Sequence, residues 1–179
     1  DLDLQPPKVQ VPAKIMPTPV VQTTALNGEI RIRNRAPQTI DKQGLPLKSF
    51  TSALEWQADQ LTLRKTVLEL LSGTVAAESK LQFRPAQLPL LDASLILKDI
   101  NLAQIESRLR QSSIQGNVQL QAKEHHRIDF QAQLREPRAS LNADASFLLN
   151  AAGDNGLLQL KRFELQAEQA SLVGSGEIN

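Results

Sequence analysis

A strict alternation of apolar and polar side chains between Ile114 and Leu149 constrains this chain more than any other feature. A period of two residues is typical of a β-strand with one dry face and one solvated face. Short polar breaks divide the alternation into three runs, so it predicts an antiparallel meander of three strands. Its apolar positions are Ile114, Gly116, Val118, Leu120 and Ala122, then Ile128, Phe130, Ala132 and Leu134, then Leu141, Ala143, Ala145, Phe147 and Leu149.

The same period recurs before this stretch. From Leu26 to Asn34 it places Ile30 and Ile32 on the inner face and arginines on the solvated face, which is typical of a soluble edge strand. Residues 50–63 fit either a helical stripe or strands. We favour strands, because residues 61–63 continue into a further apolar run at 66–70. Alternation then returns at 75–83 and at Ala93, Leu95 and Leu97, and by a rough count we expect ten or so strands in all.

One segment changes period. Leu102, Ile105 and Leu109 are three and four residues apart, and Asn101 is a suitable N-cap. The pattern predicts a single short helix from Asn101 to Gln111.

The last part of the chain resembles an earlier part. Residues 153–156 (Gly-Asp-Asn-Gly) predict a turn, after which we expect the apolar runs at 158–160 and 163–167 to pair ahead of a final strand at 172–178. Two leucines, a basic pair, another apolar strand and a glycine occur at 61–73 and again at 158–174. Such repetition favours an elongated array of strand units over a compact globule.

Five prolines between Asp1 and Thr24 predict an extended segment, either a linker or a strap lying along a groove. We therefore divide the chain into this segment, residues 1–24, and one β domain, residues 25–179. Because the chain opens at Asp1 with neither an initiator Met nor an export signal, we interpret it as part of a longer protein.

Composition argues against several classes of function. The net charge is +1 and aromatic residues make up 3% of the chain, so neither the field nor the stacking platforms of a nucleic-acid binder are expected. Cysteine is absent, and the adjacent His125 and His126 would point to opposite faces of a strand. No phosphate loop, nucleophile elbow or zinc motif occurs. We expect no enzyme, and no catalytic residue, cofactor or metal.

The dry face is the feature that remains to be explained, because one short helix cannot cover ten strands. The sheet could close as a sandwich, close as a barrel, or curl into an open trough. A lining of small aliphatic residues with few aromatics favours the trough, although each lining residue could equally be core. The expected lining of a lipid groove is Ile30, Ile32, Leu95, Leu97, Val118, Leu120, Ile128, Phe130, Leu141, Phe147 and Leu149.

The order of these elements resembles a known family. Leu95-x-Leu97, then Asp99 to Ile105, a short helix, and Ile114-x-Gly116-x-Val118-x-Leu120 are similar to the strand–helix–strand unit of the TamB family and its AsmA-like relatives. The ending, from Leu158-x-Leu160 to Gly174-x-Gly176, resembles the same family's strands. The likeness covers the last half of the chain, with a weaker match at 61–83.

The resemblance implies an all-β fold, an elongated, curled, taco-shaped antiparallel sheet with an apolar interior. It also implies a periplasmic segment of a protein anchored in the inner membrane of a Gram-negative bacterium. The implied function is to shield or conduct phospholipid acyl chains between the two membranes. The implied partner is TamA, an outer-membrane barrel, with nascent outer-membrane proteins as clients.

Two other functions stay open at this stage. The sheet edges could template β-strands of outer-membrane proteins by strand addition. Alternatively, a closed β-sandwich could serve only as a spacer.

Overall fold

The computed structural model describes residues 25–85, 87–124, 126–149 and 156–178, and this part of the chain forms ten β-strands, one α-helix (α1, Leu102–Ile105) and one 3-10 helix (Ile40–Lys42). All ten strands lie in one antiparallel sheet whose spatial order is the chain order. The strands are β1 (Ala25–Arg33), β2 (Leu47–Gln57), β3 (Gln60–Leu70), β4 (Thr74–Gln82), β5 (Leu90–Ile100), β6 (Ile114–Lys123), β7 (Arg127–Glu136), β8 (Ala139–Leu149), β9 (Gly156–Ala167) and β10 (Ala170–Ile178).

The register aligns the apolar residues of all ten strands. Residues directly opposite each other in an antiparallel pair lie on the same face, and the pairing links apolar positions into four rows that cross the sheet. We call this surface the apolar face and its opposite the polar face. The first row, for example, contains Ile32, Phe50, Leu68, Val75, Leu97, Gly116, Leu134, Leu141, Leu165 and Leu172.

Two strands keep this alignment only because each contains a β-bulge. In β3, Arg64 pairs with Ala53 of β2 and Val67 pairs with Thr51. Two residues of β3 therefore lie opposite the single residue Ser52, and the extra one is Lys65. In β9 the extra residue is Lys161, at the same level of the sheet. Both bulges lie within the basic pairs of the repeated sequence pattern. A bulge inserts one extra residue and bends the strand. The apolar residues after the bulge are therefore one position further along the sequence than strict alternation predicts, but they lie on the same face of the sheet.

The sheet is curled, with the apolar face on its concave side. Along β5 from Leu91 to Lys98 and along β6 from Ile114 to Leu120, the apolar-face residues are half-buried and the alternating polar-face residues are exposed, although no second sheet of described strands lies over them. On the apolar face, burial is deepest halfway along the strands, where Ser52, Thr66 and Ala132 are 2%, 5% and 3% exposed. The bulges at Lys65 and Lys161 lie beside this deepest line. We call it the crease.

The predicted helix is present but much shorter than expected. It covers only Leu102–Ile105, not Asn101 to Gln111. Asn101 caps it as predicted, its Oδ1 accepting from the Ala103 N–H at 3.1 Å. The same oxygen accepts from the Ser112 N–H at 3.2 Å, and the Ser112 hydroxyl accepts from the Leu102 N–H at 2.8 Å. These hydrogen bonds bring Ser112 back to the first residues of the helix. The helix therefore ends after one turn, at Ile105.

Two long connections meet at the end of the sheet near α1. The Ser107 hydroxyl and N–H both donate to the Asp41 carboxylate, at 2.6 and 3.1 Å, which joins the β1–β2 connection to the β5–β6 connection. These hydrogen bonds hold the pKa of Asp41 well below its usual range. On the other side Arg110 pairs with Glu136 of β7 at 2.7 Å. The connection after α1 is therefore tied to both halves of the sheet.

Several sequence predictions can be compared with this fold. The single open antiparallel sheet and the count of ten strands are confirmed. The runs at 158–160 and 163–167 do not pair with each other, because the bulge at Lys161 lets them form one strand, β9. The closed sandwich is wrong, since the ten strands make one sheet with no second layer. The predicted segment 1–24 and residues 153–155 of the predicted turn lie outside the described residues.

The backbone at Lys65 allows a test of the bulge. Its φ of 51° lies in the left-handed region, which costs a residue with a side chain about 1 kcal/mol relative to glycine. We expect Lys65→Gly to raise the free energy of unfolding in urea by about that amount. Gln119→Gly, at an exposed position of β6, is the matched control and should lower it by a similar amount. Equal losses in the two variants would contradict the bulge geometry.

Candidate functional site

The apolar face collects the lining residues predicted from the sequence. Ten of the eleven predicted lining residues belong to the four rows of this face. Ile32, Leu97 and Leu141 belong to the row nearest α1, and Ile30, Leu95 and Val118 to the next row. Leu120 and Phe130 are directly opposite each other in the third row. Ile128 and Phe147 form a pair in the fourth row, and Leu149 lies opposite Gly156.

The face also includes residues that the sequence prediction did not name. They come chiefly from strands around the two bulges, where the apolar period changes phase and a simple count of alternate residues loses the face. The phase change itself was the signal that could have found them: the apolar positions pass from odd to even numbers between Leu63 and Leu68, and from even to odd between Leu160 and Phe163. They include Phe50, Leu54, Trp56, Leu61, Leu63, Leu68, Leu81, Leu158, Leu160, Phe163, Leu165 and Leu172.

The apolar face extends across the whole sheet. Nine steps of about 4.8 Å between ten strands make it about 43 Å long, and four rows about 6.8 Å apart make it about 20 Å wide. Its outline encloses roughly 900 Å², of which the half-buried side chains expose a part. Phe130 is still 37% exposed, and Leu172, at the edge, is 57% exposed. The described residues thus leave an extended apolar surface open to solvent.

No charged side chain interrupts this surface. The four rows contain neither acidic nor basic residues in the described strands. Of the few polar positions, Ser52 and Thr66 lie at the crease and share a hydrogen bond of 2.8 Å. Because each hydroxyl satisfies the other, the deepest part of the face presents no unpaired polar group to a ligand.

The polar face carries an ordered charge cluster on β6, β7 and β8. The Asp129 carboxylate accepts from Lys123 Nζ at 2.8 Å, Arg127 Nε at 2.7 Å and the Ser146 hydroxyl at 2.7 Å. Partial burial raises the pKa of Asp129, but the three donors outweigh it and hold that pKa well below its usual range. Ser146 is buried beneath the two cations. The cluster fixes the middle of the sheet from outside the apolar face.

The described residues hold little that could carry out chemistry. No group of three or more His, Cys, Asp or Glu side chains among them is arranged to bind a metal ion. His126 lies in the turn between β6 and β7, and His125 is outside the described residues. In the same part of the chain, no helix has both the length and the hydropathy needed to cross a membrane. Within the described residues, the apolar face is the feature that offers an extended binding surface.

Comparison of the chain with known protein families, with curated proteins and with solved structures finds no match. The function of the apolar face must therefore be argued from its own geometry.

The Asp129 cluster makes the stability of the sheet depend on pH. Since the folded-state pKa is lowered, Asp129 stabilises the fold above its unfolded pKa of about 3.9, and this contribution is lost as the pH falls below that value. We expect Asp129→Asn to lower the free energy of unfolding at pH 7 by about 1–3 kcal/mol. Urea titrations at pH 7 and at pH 3 would measure it, and the difference from wild type should shrink at pH 3.

The control for this comparison is Asp92→Asn, on the same face. Asp92 forms no ion pair within 4.0 Å among the described residues, so its loss should change stability little. A loss at Asp129 that stays constant from pH 7 to pH 3 would contradict the role of its carboxylate.

Proposed function

We propose that the chain shields or conducts the acyl chains of phospholipids along its apolar face. The observation that carries this proposal is an uncharged concave surface across all ten strands, over which the described residues place no second layer. A soluble protein normally buries such a surface, and one left open marks contact with an apolar ligand or a membrane. The elongated shape favours a flexible chain over a compact ligand.

The dimensions of the face suit acyl chains. One leaflet of a bilayer is about 15 Å of hydrocarbon, half of the roughly 30 Å core, so a face about 43 Å long accommodates more than one tail length. The four rows repeat along the whole length, so a tail meets a similar surface wherever it lies. That repetition supports movement along the face.

The expected binding energy also favours passage over storage. Each methylene removed from water contributes about 0.8 kcal/mol, so a half-covered tail gains on the order of 5 kcal/mol. That free energy corresponds to a dissociation constant of about 0.2 mM, weak enough for the tail to leave. Because the face carries no charge, it has no group that would hold a lipid headgroup tightly.

The setting of this function is proposed from the sequence resemblance to the TamB family. We place the chain in the periplasm, as part of a longer protein anchored in the inner membrane, in an envelope translocation and assembly module. The partners would be phospholipids and an outer-membrane barrel protein, TamA. Nucleic acid is not among them.

A single substitution on the apolar face, in the row next to the crease, tests the binding of tails. We expect Phe130→Glu to weaken binding of palmitate by at least about tenfold, because a charge then faces the apolar chain. Phe130 is 37% exposed, so the variant should still fold. Its neighbour Gln131 is exposed on the polar face, and Gln131→Glu is the matched control. Titration calorimetry measures both variants, with thermal unfolding as the check on folding.

Two results would contradict the proposal. One is equal binding of palmitate to wild type and Phe130→Glu. The other is equal weakening by the substitutions at 130 and 131, which would show that the apolar face is not the site. Mass spectrometry of lipid that co-purifies with the chain provides an independent measurement.

A second candidate function follows from the edge at β10. Every residue of β10 is exposed, Val173 is 69% exposed, and the strand carries one charge, Glu177, with no Lys or Pro. Natural edges are usually blunted by such residues. This edge could therefore accept an incoming strand of a nascent outer-membrane protein, which is the strand-templating alternative.

Proline substitution separates the two functions. We expect Val173→Pro to abolish capture of a synthetic peptide with alternating apolar and polar residues, because proline disrupts edge pairing. Palmitate binding should not change. Val173→Ala, which keeps the backbone N–H, is the control, and capture is measured by fluorescence anisotropy of the labelled peptide. Undiminished capture by the folded proline variant would count against this function.

A further inference from the structure

A recess of about 640 Å³ lies at the end of β4–β7 farthest from α1. It opens mainly on the polar face and not over the middle of the apolar face. Its lining also includes Leu91 and Ala122, which pair across β5 and β6 in the fourth row of the apolar face. The recess and the apolar face therefore meet at this end of the strands, which we call the rim. The lining is Lys80, Gln82, Leu90, Leu91, Asp92, Gln121, Ala122, Lys123, Glu124 and Arg127.

The strand order leaves the rim open at this point. β5 and β6 are connected at the opposite end of the sheet, through α1, so no chain joins them here. The connections on either side, β4–β5 and β6–β7, flank the opening. Among the described residues, an ion pair of 3.3 Å between Arg84 and Glu124 links them across it. A molecule lying on the apolar face can thus extend over the rim into the recess.

The charged groups of the recess are only partly committed to partners. Lys123 and Arg127 share the Asp129 carboxylate, so this trio keeps one positive charge. Lys80 and Asp92 are directly opposite each other on β4 and β5, and neither forms an ion pair within 4.0 Å among the described residues. A cation and a carboxylate are therefore both available to a ligand, beside the fourth row of the apolar face.

We propose that this recess binds the headgroup of a phospholipid that carries both a phosphodiester and an amine, while the tails lie on the apolar face. The phosphate would contact Lys80 and the positive trio, and the ammonium would contact Asp92. Asp92 repels a headgroup that has a phosphate alone, which is why an amine-bearing headgroup fits better. The inference rests on the proposed function, because the tails must lie on the apolar face for the headgroup to reach the recess.

Four ligands and two variants test this site. Titration calorimetry at low salt compares dihexanoyl phosphatidylethanolamine, dihexanoyl phosphatidylglycerol, palmitate and inorganic phosphate on the full chain. We expect Lys80→Gln to weaken both phospholipids about tenfold, the loss of one charged hydrogen bond, and to weaken palmitate, which has no phosphodiester, less. Asp92→Asn should weaken phosphatidylethanolamine without weakening phosphatidylglycerol. Lys98→Gln, near the other end of β5, is the control and should change nothing.

The outcomes separate this inference from the function on which it rests. If Lys80→Gln leaves phospholipid binding unchanged while palmitate still binds, the headgroup site is overturned but the proposed function is not. Inorganic phosphate that binds as tightly as the phospholipids shows a simple anion site and also overturns it. An equal effect of Asp92→Asn on both phospholipids overturns the amine contact. Failure of palmitate to bind wild type overturns the proposed function.

Discussion

Register is the constraint on which this structure depends. A slip of one residue between two strands would move a whole set of apolar side chains to the other face, yet here ten strands keep their apolar positions aligned. In β3 and β9 the alignment survives because a bulge absorbs an extra residue. The bulges also bend their strands at the crease, so the devices that keep the face continuous also contribute to its curvature.

Side-chain size varies along β8. Ala143 and Ala145 lie near the crease, and the larger Leu141 and Phe147 lie toward the two ends of the strand. Larger residues also occur at the crease, since Phe163 of β9 lies opposite Ala143. The polar face is held by the Asp129 cluster and by connections such as the Asp41–Ser107 contact, which leave the concave side free.

Much of this fold could be predicted from the sequence because alternation is a local signal. The strands of residues 114–149 follow directly from it, and so does the face on which Val118 and Leu120 lie. The length of α1 could not be predicted, since it is set by the contacts of Ser112 with Asn101 and Leu102, eleven and ten residues away. Similarly, the break within residues 61–70 is visible in the sequence, but whether it is a bulge or a turn depends on the neighbouring strands.

The recess at the rim illustrates the same limit. Lys80, Asp92 and Lys123 are scattered along the chain, and no motif connects them. Only the pairing of β4, β5 and β6 places them around one opening. A site of this kind arises from sheet topology, so sequence patterns identify the apolar face but not the polar groups that would orient a ligand on it.

The central claim is that lipid tails lie on the apolar face. Its most direct test is photocrosslinking to phospholipid from a benzophenone side chain placed at 120 and, in a second variant, at 119. Leu120 and Gln119 are neighbours in β6 that lie on opposite faces. The account predicts a lipid adduct from position 120 and none from 119. Adducts of equal yield from both positions, or from neither, would contradict it.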